Sequence, residues 1–307
     1  MYLGLDIGGT TIKAGLIDEE NRVLESRKVP TVIDNLEGFI SKLTEVICDF
    51  QKSRPIDAVG IGVPGLRSSK THVIATSPNI PCLANVNLEK MMADQVHLRV
   101  VTDNDANAGA YAEFVCGAGT GLQHLAYLTL GTGLGSGLIL NGSLYTGASG
   151  YGGEFGHTVI DPNGRLCACG KQGCIETVAS GTGIVTTARD KLRTGRNSRL
   201  NEIAPPLTAE KIYDAAVRGD ETAREVFADT GHWFGLACAN LINLLNLEMI
   251  VIGGGVMASG EFLLGKAIEV ARHYAFASSF ADCQIVQSRL WPDAGMIGAA
   301  LLARDRA

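Results

Sequence analysis

A pair of short strands joined by a glycine turn occurs twice in this chain, and this repeat constrains the fold more than any other feature. The first pair runs from Tyr2 to Ile7 and from Thr11 to Ile17, around a Gly-Gly turn. The second runs from Leu125 to Leu130 and from Gly135 to Leu140, around a Gly-Thr-Gly turn. Apolar runs separated by such turn residues are typical of β-hairpins. Both pairs are therefore predicted to be hairpins.

The rest of the chain alternates strand and helix patterns. Apolar residues recur at helical spacing from Leu36 to Phe50, whereas Ala58 to Val63 is a continuous apolar run of strand length. This alternation predicts an α/β fold built in layers. The other predicted strands are Arg22 to Pro30, Val100 to Thr102 and Met249 to Ile252, and the other predicted helices are Ala106 to Cys116, Thr208 to Arg218 and Glu221 to Leu247.

Composition excludes several classes of protein. The 307 residues are 46% hydrophobic, which is enough core for two domains. No apolar run approaches the length that spans a bilayer, and residues 1–9 lack the pattern of a secretion signal, so we expect a cytoplasmic protein without a membrane partner. The net charge of -6, with scattered basic residues, argues against nucleic acid as a partner.

The first glycine turn has the composition of a phosphate-binding loop. Glycines let backbone N–H groups face an anion without a Cβ in the way, and neighbouring hydroxyl and ammonium groups add donors. Asp6 ends the first strand, where a carboxylate can hold Mg²⁺ through water. The motif alone is equally compatible with an ordinary tight hairpin. The predicted nucleotide ligands here are Asp6, Gly8, Gly9, Thr10, Thr11 and Lys13.

Two further glycine-rich stretches add to this prediction. The second turn, Leu130 to Gly137, is neither a Walker A loop nor a dinucleotide fingerprint. Two glycine hairpins in one chain are better explained by two loops that bind the same polyphosphate than by coincidence. Three glycines after Ile252 would let a flat ring or a sugar lie on the backbone, although alone they would indicate a plain strand-to-helix loop. The predicted contacts are Thr132, Gly133, Gly253, Gly254 and Gly255.

An acidic segment, Thr102 to Asn107, follows a predicted strand and opens a predicted helix. Phosphoryl transfer to an alcohol needs a carboxylate that orients the attacking hydroxyl and accepts its proton. Asp103 and Asp105 are both candidates for this base, and either could instead cap the helix.

Three cysteines are clustered in one glycine-containing loop, at Cys167, Cys169 and Cys174, and His157 lies ten residues upstream of the first. Structural zinc sites use four nitrogen or sulfur ligands in a closed tetrahedron, so these four residues predict a Cys₃His zinc site. The alternatives are a disulfide or a redox-labile loop, and a reducing compartment disfavours both.

Taken together, these motifs resemble those of the ROK family of sugar kinases and repressors. The matching segments are Asp6 to Thr10, Leu130 to Gly137 with the Gly-Glu-Phe-Gly-His run ending at His157, Cys167 to Glu176, and Gly253 to Gly255. The resemblance covers essentially the whole chain. It implies an actin-like ATPase fold of the hexokinase type, with two α/β domains and a cleft between them. We expect an N-terminal domain over residues 1–118, completed by a helix over 294–307, and a C-terminal domain over 119–293 with the zinc loop and a dimer surface.

The resemblance also implies roles for single residues. It places the catalytic base at Asp105 and a sugar contact at Asn104, which leaves Asp103 for capping or turn formation. One nitrogen of His157 would bind zinc and the other a sugar hydroxyl. The family often has Trp after the Pro-Asn-x-Pro segment, where this chain has Leu83. The implied sugar ligands are Gly65, Asn79, Asn104, Asp105, Glu154, His157 and Glu176.

The expected function is therefore an ATP-dependent hexose kinase that phosphorylates the 6-hydroxyl of glucose, with Mg²⁺, structural Zn²⁺ and a homodimeric assembly. Another sugar, such as N-acetylmannosamine, N-acetylglucosamine, allose or fructose, remains open, as does polyphosphate as the phosphate donor. A sugar-responsive repressor is less expected, because the Asp-x-Gly-Gly-Thr motif begins at Asp6 and leaves no room before it for a helix-turn-helix.

Overall fold

The computed structural model describes residues 1–306, with side chains throughout that range except those of Ala258, Ser259 and Glu261. It confirms the predicted α/β architecture, and both glycine hairpins form. The strands are β1 (Tyr2–Ile7), β2 (Thr11–Ile17), β3 (Val23–Pro30), β4 (Ala58–Val63), β5 (Leu66–Arg67), β6 (Ile74–Thr76), β7 (Arg99–Asn104), β8 (Leu125–Leu130), β9 (Leu134–Leu140), β10 (Ser143–Tyr145), β11 (Met249–Gly253) and β12 (Gln284–Gln287).

Helices separate most of these strands, and single 3₁₀ turns add Pro81–Leu83, Phe155–His157 and Ile175–Thr177. Among the residues described, no helix is both long and apolar enough to cross a membrane. The α-helices are α1 (Leu36–Ser53), α2 (Leu88–Val96), α3 (Asp105–Cys116), α4 (Gly181–Arg193), α5 (Ala209–Val217), α6 (Glu221–Leu245), α7 (Gly260–Tyr274), α8 (Ala277–Asp282) and α9 (Ala294–Asp305).

The first sheet has the strand order β3-β2-β1-β4-β7, and the three adjacent strands β1, β4 and β7, the last of them at the edge, are parallel. Asp6 of β1 pairs with Gly62 of β4, and Gly62 pairs with Asp103 of β7. The carboxyl ends of the three strands therefore meet at one edge of the sheet. In parallel α/β sheets this edge is where ligands bind.

Helix α9 packs directly on the backbone of this sheet. A Cβ at Gly4 of β1 would overlap the carbonyl of Met296, and one at Gly60 of β4 would overlap that of Ala299. These two glycines therefore permit a close helix–sheet approach. The core below contains Leu83, which is fully buried, so the position where the family often has Trp is here filled by a smaller apolar side chain.

The second sheet has the strand order β10-β9-β8-β11-β12. Strands β11 and β12 are parallel, as expected of two strands joined by helices α7 and α8, whereas β9 and β10 form an antiparallel hairpin. Every residue of β11 is buried, which accounts for its continuous apolar sequence.

The chain divides into two compact units. One comprises Met1–Tyr127, Gly137–Gly153 and the chain from Ser288 onward, and the other comprises Leu128–Ser136 and Glu154–Gln287. This division differs from the boundary placed at residue 118, because residues 119–127 and 137–153 group with the first unit. Local packing explains the second of these stretches: Gly137 lies against the backbone of α3, and the amide of Ser69 donates to the carbonyl of Ser149 over 2.9 Å.

Candidate active site

The turn from β7 into α3 positions the acidic segment of the first unit. Asn104 is the N-cap of α3, because its Oδ1 accepts from the amides of Ala106 (2.8 Å) and Asn107 (3.2 Å). A side-chain oxygen at this place satisfies backbone donors that the first helical turn leaves unpaired. The assignment of the cap to Asp103 was therefore wrong, because the helix begins one residue later than that role requires.

Asp103 is held in a buried network instead. Its carboxylate accepts from the Asn104 amide at 2.7 Å and from Nδ2 of Asn107 at 2.9 Å, and it pairs with Arg306 at 2.7 Å. Asp105 is the first residue of α3, and its Oδ1 accepts from the amide of Ala106 at 2.9 Å. Of the two aspartates proposed for the base, Asp103 is thus bound on both oxygens by the fold itself, which favours Asp105.

Asp6 and Asp105 are the two carboxylates at the sheet edge, and their surroundings disfavour the charged form of each. Desolvation raises the pKa of Asp105 above its ordinary value. Desolvation also raises the pKa of Asp6 to about 7, and the negative charge of Asp105 adds to this rise while Lys13 opposes it. Carboxylates that share a low-dielectric site disfavour each other's ionisation, and a bound cation would relieve both. The donor set at Asp6 therefore fits a hard cation such as Mg²⁺, which prefers carboxylate oxygen and water.

Lys13 and helix α9 complete the surroundings of Asp6. The ammonium of Lys13 donates to the carbonyl of Pro292 and lies 3.3 Å from Oδ1 of Asp293, the residue before α9. Gly295, in the first turn of α9, packs so closely that a Cβ there would lie 2.8 Å from the Asp6 carboxylate. The positive end of the helix dipole therefore faces this carboxylate.

The first glycine turn is exposed from Gly8 to Thr11 and is closed by a bond from the Gly8 amide to the Thr11 carbonyl (2.9 Å). Thr31 ties the turn to the end of β3, because its hydroxyl donates to the Gly8 carbonyl over 2.7 Å. Gly9 lies beside Asn79, since a Cβ on Gly9 would be 3.7 Å from the Asn79 carbonyl. The fold thus brings a predicted nucleotide loop next to a predicted sugar ligand.

Gly65 and Asn104, two further predicted sugar contacts, also meet. The Nδ2 group of Asn104 donates to the Gly65 carbonyl over 3.3 Å. Gly65 has a φ of 129°, and a side chain there would overlap the carbonyl of Thr76. Glycine is therefore required at this position by the backbone itself, whatever ligand it contacts.

In the second unit, helix α4 holds the Gly131–Leu134 turn. The turn is closed by a bond from the Gly131 amide to the Gly133 carbonyl (3.0 Å). The first two amides of α4, on Gly181 and Thr182, donate to the carbonyls of Gly131 (2.8 Å) and Thr132 (3.3 Å). Helix α4 therefore uses its N-terminal donors to fix the backbone of the predicted phosphate turn.

A cavity of about 680 Å³ opens beside this turn, within the second unit. Two predicted nucleotide contacts, Thr132 and Gly255, line it. Sequence reasoning missed the other lining residues, because helix α4 was not predicted and α5 was given no role. The Ser180-Gly-Thr-Gly run, in which Ser180 caps α4, was the available signal. The missed residues are Gly131, Gly181, Thr182, Val185, Leu207, Thr208, Ala209, Glu210, Tyr213 and Val256.

The three late glycines serve different purposes. Gly253 is the buried last residue of β11. Gly254 has a φ of 92°, and a Cβ there would overlap the backbone of Leu130 at the end of β8. A Cβ on Gly255, by contrast, would enter open space, and this residue lines the cavity. Only Gly255 therefore presents its face to a ligand, while Gly254 permits the close approach of two strand ends.

The cysteine loop brings all four predicted metal ligands together. The ligand atoms of His157, Cys167, Cys169 and Cys174 all lie within 4.8 Å of one another. Tetrahedral Zn²⁺ with Zn–S bonds of about 2.3 Å and Zn–N bonds of about 2.0 Å requires S···S distances of about 3.8 Å and S···N distances of about 3.6 Å. The Sγ atoms of Cys169 and Cys174 are 3.7 Å apart, and Sγ of Cys167 is 3.7 Å from Nδ1 of His157. The donor set therefore fits zinc in its chemistry, and these two distances are those of a tetrahedral site.

The thiols of this cluster differ in acidity. Desolvation and a hydrogen bond to Glu176 raise the pKa of Cys167, and desolvation also raises that of Cys174. Desolvation acts the same way on Cys169, but hydrogen bonds, chiefly from the Lys171 amide, outweigh it and lower the pKa of this thiol. Cys169 is thus the thiol best prepared to become a thiolate ligand.

The remaining predicted sugar ligands flank the cluster. Glu154 and His157 are exposed at either end of a 3₁₀ turn that is anchored by the Phe155 amide to the Ser136 hydroxyl (3.0 Å). Because Nδ1 of His157 faces the thiols, its second ring nitrogen is the one available for another partner. Glu176 lies 3.5 Å from the same Nδ1. The fold thus places His157 and Glu176 at one cluster, and the Glu154 carbonyl accepts from the His157 amide over 3.1 Å.

Comparisons with known proteins show the fold and the family of this chain. The α/β fold is that of ROK sugar kinase structures, the actin-like ATPase fold. The model of the ROK family matches residues 2–306, and the chain belongs to this family. It is 36% identical to the glucokinase of Thermotoga maritima, over 99% of this chain and 97% of that protein. It is 30% identical to the N-acetylmannosamine kinase of Shigella boydii, over 98% of each.

A solved structure shows the same similarity. The ROK family glucokinase of Streptomyces griseus, crystallised in complex with glucose and AMPPNP, superimposes with a TM-score of 0.87 at 35% identity. The alignment covers 99% of each chain. The fold is therefore shared over essentially the full length of both chains.

Proposed function

We propose that this protein is an ATP-dependent hexose kinase that transfers the γ-phosphoryl group of ATP to the 6-hydroxyl of glucose. The observation that carries the proposal is the position of Asp105, at the first turn of α3 and at the ligand-binding edge of a parallel sheet, with its pKa raised by desolvation. Glucose is supported by the glucokinases of Thermotoga maritima and Streptomyces griseus.

In the proposed reaction Asp105 acts as the base. It orients the sugar hydroxyl and accepts its proton while the new O–P bond forms and the bond to the leaving ADP oxygen breaks. Desolvation raises the pKa of Asp105, which makes its carboxylate a stronger proton acceptor than that of an ordinary aspartate. Such a base contributes a factor of about 10²–10⁴ in rate.

We propose that the nucleotide occupies the cavity of the second unit, with Thr132 and Gly133 near its phosphates. The Gly253 to Gly255 run lies near its adenosine, with Gly255 as the glycine that contacts it and Gly253 and Gly254 as its support. Apolar side chains of Val185, Leu207 and Tyr213 line this cavity. An apolar wall suits a flat base and offers nothing to inorganic polyphosphate, which favours ATP as the donor.

The first glycine turn, through Gly8, Gly9, Thr10, Thr11 and Lys13, is proposed to contact phosphate oxygens. Asp6 would hold Mg²⁺ through water at the same edge, and the ion would neutralise charge on the transferring phosphoryl group. The raised pKa of Asp6 supports this role, because a carboxylate with an unrelieved desolvation cost gains most from a cation.

We propose that zinc binds to His157, Cys167, Cys169 and Cys174 and keeps the sugar-binding loop in shape. The convergence of the four ligand atoms within 4.8 Å of one another, with Cys169 and Cys174 at 3.7 Å, supports this role. The hydroxyls of the sugar are then bound by Glu154, His157 and Glu176. Further sugar contacts come from Gly65, Asn79 and Asn104.

A kinase for another sugar is the second candidate, and the N-acetylmannosamine kinase of Shigella boydii favours it. The two candidates are separated by measuring kcat/KM with ATP for glucose, mannose, fructose, allose, N-acetylglucosamine and N-acetylmannosamine. We expect glucose to be highest, because losing one paired hydroxyl in a buried site costs about 1–3 kcal/mol. A tenfold preference for N-acetylmannosamine would refute the glucose assignment and keep the kinase class.

We also propose a cytoplasmic homodimer. Leu244 and Phe276 are apolar yet 79% and 72% exposed, and Asn243 bonds to the backbone of Tyr274 and Phe276, which brings them together. Such a patch is typical of a protein interface. Sedimentation of the wild type and of Phe276→Asp tests this: we expect a dimer and a monomer, respectively.

The proposed cytoplasmic location is supported by the cysteines. None of the eight cysteines forms a disulfide, which suits a reducing compartment.

A further inference from the structure

Glu176 contacts both the cysteine loop and the phosphate turn of the second unit. It follows Cys174 directly and lies in the 3₁₀ turn Ile175–Thr177. Its Oε1 accepts from Sγ of Cys167 at 3.0 Å and lies 3.5 Å from Nδ1 of His157. One carboxylate oxygen is therefore in direct contact with two of the proposed metal ligands. Zinc would bind Cys167 as a thiolate and so remove the proton that this thiol donates to Glu176, which makes the contact one that changes with the metal.

The other oxygen faces the Gly131–Leu134 turn. Oε2 accepts from the amide of Leu134 at 3.4 Å. The Cα of Gly133 packs against the same oxygen, since a Cβ on Gly133 would lie only 2.5 Å from it. The carboxylate thus supports the back of the turn, and only glycine at position 133 permits this approach.

The backbone of Glu176 reaches the turn by a second route. Its carbonyl accepts from the hydroxyl of Ser180 at 2.7 Å, and Ser180 caps α4 through the Gly183 amide (3.0 Å). The amide of Gly181, the residue after Ser180, donates to the carbonyl of Gly131. Side chain and backbone of one residue therefore fix opposite ends of the same four-residue turn.

We propose that Glu176 is a positioning residue that couples the Cys/His cluster to the nucleotide cavity, so that zinc in the cluster raises the affinity of the cavity for nucleotide. The turn forms part of the cavity wall through Gly131 and Thr132, so a shift of Glu176 displaces that wall. This inference rests on the proposed function in placing the nucleotide there. Because coupling between two binding sites is reciprocal, bound nucleotide strengthens zinc binding by the same factor.

The test measures binding instead of turnover. Zinc is removed with a chelator, the chelator is dialysed away and Mg²⁺ is restored, and the dissociation constant of Mg·AMPPNP is measured by calorimetry before and after. The proteins are the wild type, Glu176→Gln, and the control Glu202→Gln, which makes the same change on an exposed residue. We expect zinc removal to weaken AMPPNP binding at least about fivefold in the wild type and the control, but less than about twofold in Glu176→Gln.

Two measurements keep the outcome decisive if Glu176→Gln folds poorly. Cys169→Ser keeps Glu176 and should bind AMPPNP as weakly as stripped wild type. In wild type, AMPPNP should also tighten zinc binding, followed with a colorimetric chelator, by the factor found in calorimetry. Unchanged AMPPNP affinity after stripping, or an equal loss in wild type and Glu176→Gln, overturns the coupling. Failure of zinc-loaded wild type to bind AMPPNP at all would instead refute the proposed nucleotide site.

Discussion

Nδ2 of Asn107 donates a hydrogen bond of 2.9 Å to Oδ1 of Asp103, and Arg306 pairs with the other oxygen of the same carboxylate at 2.7 Å. Asn107 lies in the first turn of α3 and Arg306 just beyond α9. The Asp103 carboxylate therefore ties two helices to the end of β7. Asp105, two residues later, is at the helix start that this network fixes.

This arrangement predicts opposite phenotypes for the two aspartates. Asp105→Asn should leave folding and sugar affinity nearly intact while kcat falls about 10²-fold or more, because the proton acceptor is lost. Asp103→Asn should mainly lower the unfolding midpoint, since it weakens the hydrogen bonds of a buried carboxylate and its pair with the exposed Arg306, and change kcat less than about tenfold. Steady-state kinetics and thermal unfolding of both variants decide this. A drop in kcat of less than about fivefold in Asp105→Asn would remove it from the role of base.

Asp6→Asn should stabilise the ligand-free protein while abolishing its proposed function. The folded pKa of about 7 lies above the ordinary value of 3.8, so the folded state binds this proton more tightly than the unfolded state does. The protonated Asp6 carboxyl therefore contributes to the free energy of unfolding below about pH 4, and this contribution is lost as the pH rises to about 7. An asparagine carries no charge at any of these pH values, so Asp6→Asn should be more stable than the wild type above pH 7, by on the order of 2–4 kcal/mol.

Urea unfolding of wild type and Asp6→Asn at several pH values, without Mg²⁺ or nucleotide, measures the difference directly. The advantage of Asp6→Asn should be greatest above pH 7 and should shrink towards pH 4. A wild type that is the more stable of the two at pH 8 would contradict the prediction. Kinase activity at saturating Mg·ATP should fall in the variant, because the proposed carboxylate for the ion is gone.

Gly254 and Gly255 form a matched pair of adjacent sites. Gly254→Ala places a Cβ against Leu130 at a φ of 92°, a backbone region that is essentially restricted to glycine, and should cost about 3 kcal/mol or more. Gly255→Ala points into open space and should change the free energy of unfolding by less than about 0.5 kcal/mol. Because Gly255 lines the cavity, the same change should raise the KM for ATP. Equal stability of the two variants would show that Gly254 is not the packing glycine.

Metal analysis should find about one zinc per chain, consistent with a closed four-ligand site. Cys169→Ser should lose the metal and bind glucose more weakly. The control is Cys48→Ser, which changes a cysteine of α1 far from the cluster in sequence and should keep its zinc and its glucose affinity. Mass spectrometry under native conditions and glucose calorimetry give the two readouts. Full glucose affinity in demonstrably zinc-free protein would rule out the scaffold role.

Much of the fold could be predicted because its strands carry strong local signals. The bounds of β1, β2, β4 and β8 were predicted to the residue, since each is an apolar run ended by a turn residue. Helices α2, α4, α7 and α8 were missed. Helix α2 is only nine residues long and α4 begins with a glycine-rich turn, so length and composition gave weak signals, although both helices carry an apolar face.

The residues of the candidate site could be predicted as a set but not in all their roles. Local motifs indicated the metal ligands, and the structure brings these four together. The cap of α3 could not be assigned from sequence, because Asp103, Asn104 and Asp105 are all good capping residues and the exact helix start decides among them. The cavity wall at Leu207 and Tyr213 was also not foreseeable, since it depends on how α5 packs against distant loops.

Helix α9 has a consequence for the order in which this protein folds during synthesis. It lies on the backbone of β1 and β4 at Gly4 and Gly60, yet the ribosome makes it after every strand of that sheet. The apolar face it covers therefore stays open while the remainder of the chain is translated. Domains usually fold in the order in which they emerge. Here the second unit can complete its core first, and the half that carries Asp6 and Asp105 must wait for the last helix, with its apolar sheet face exposed in the meantime.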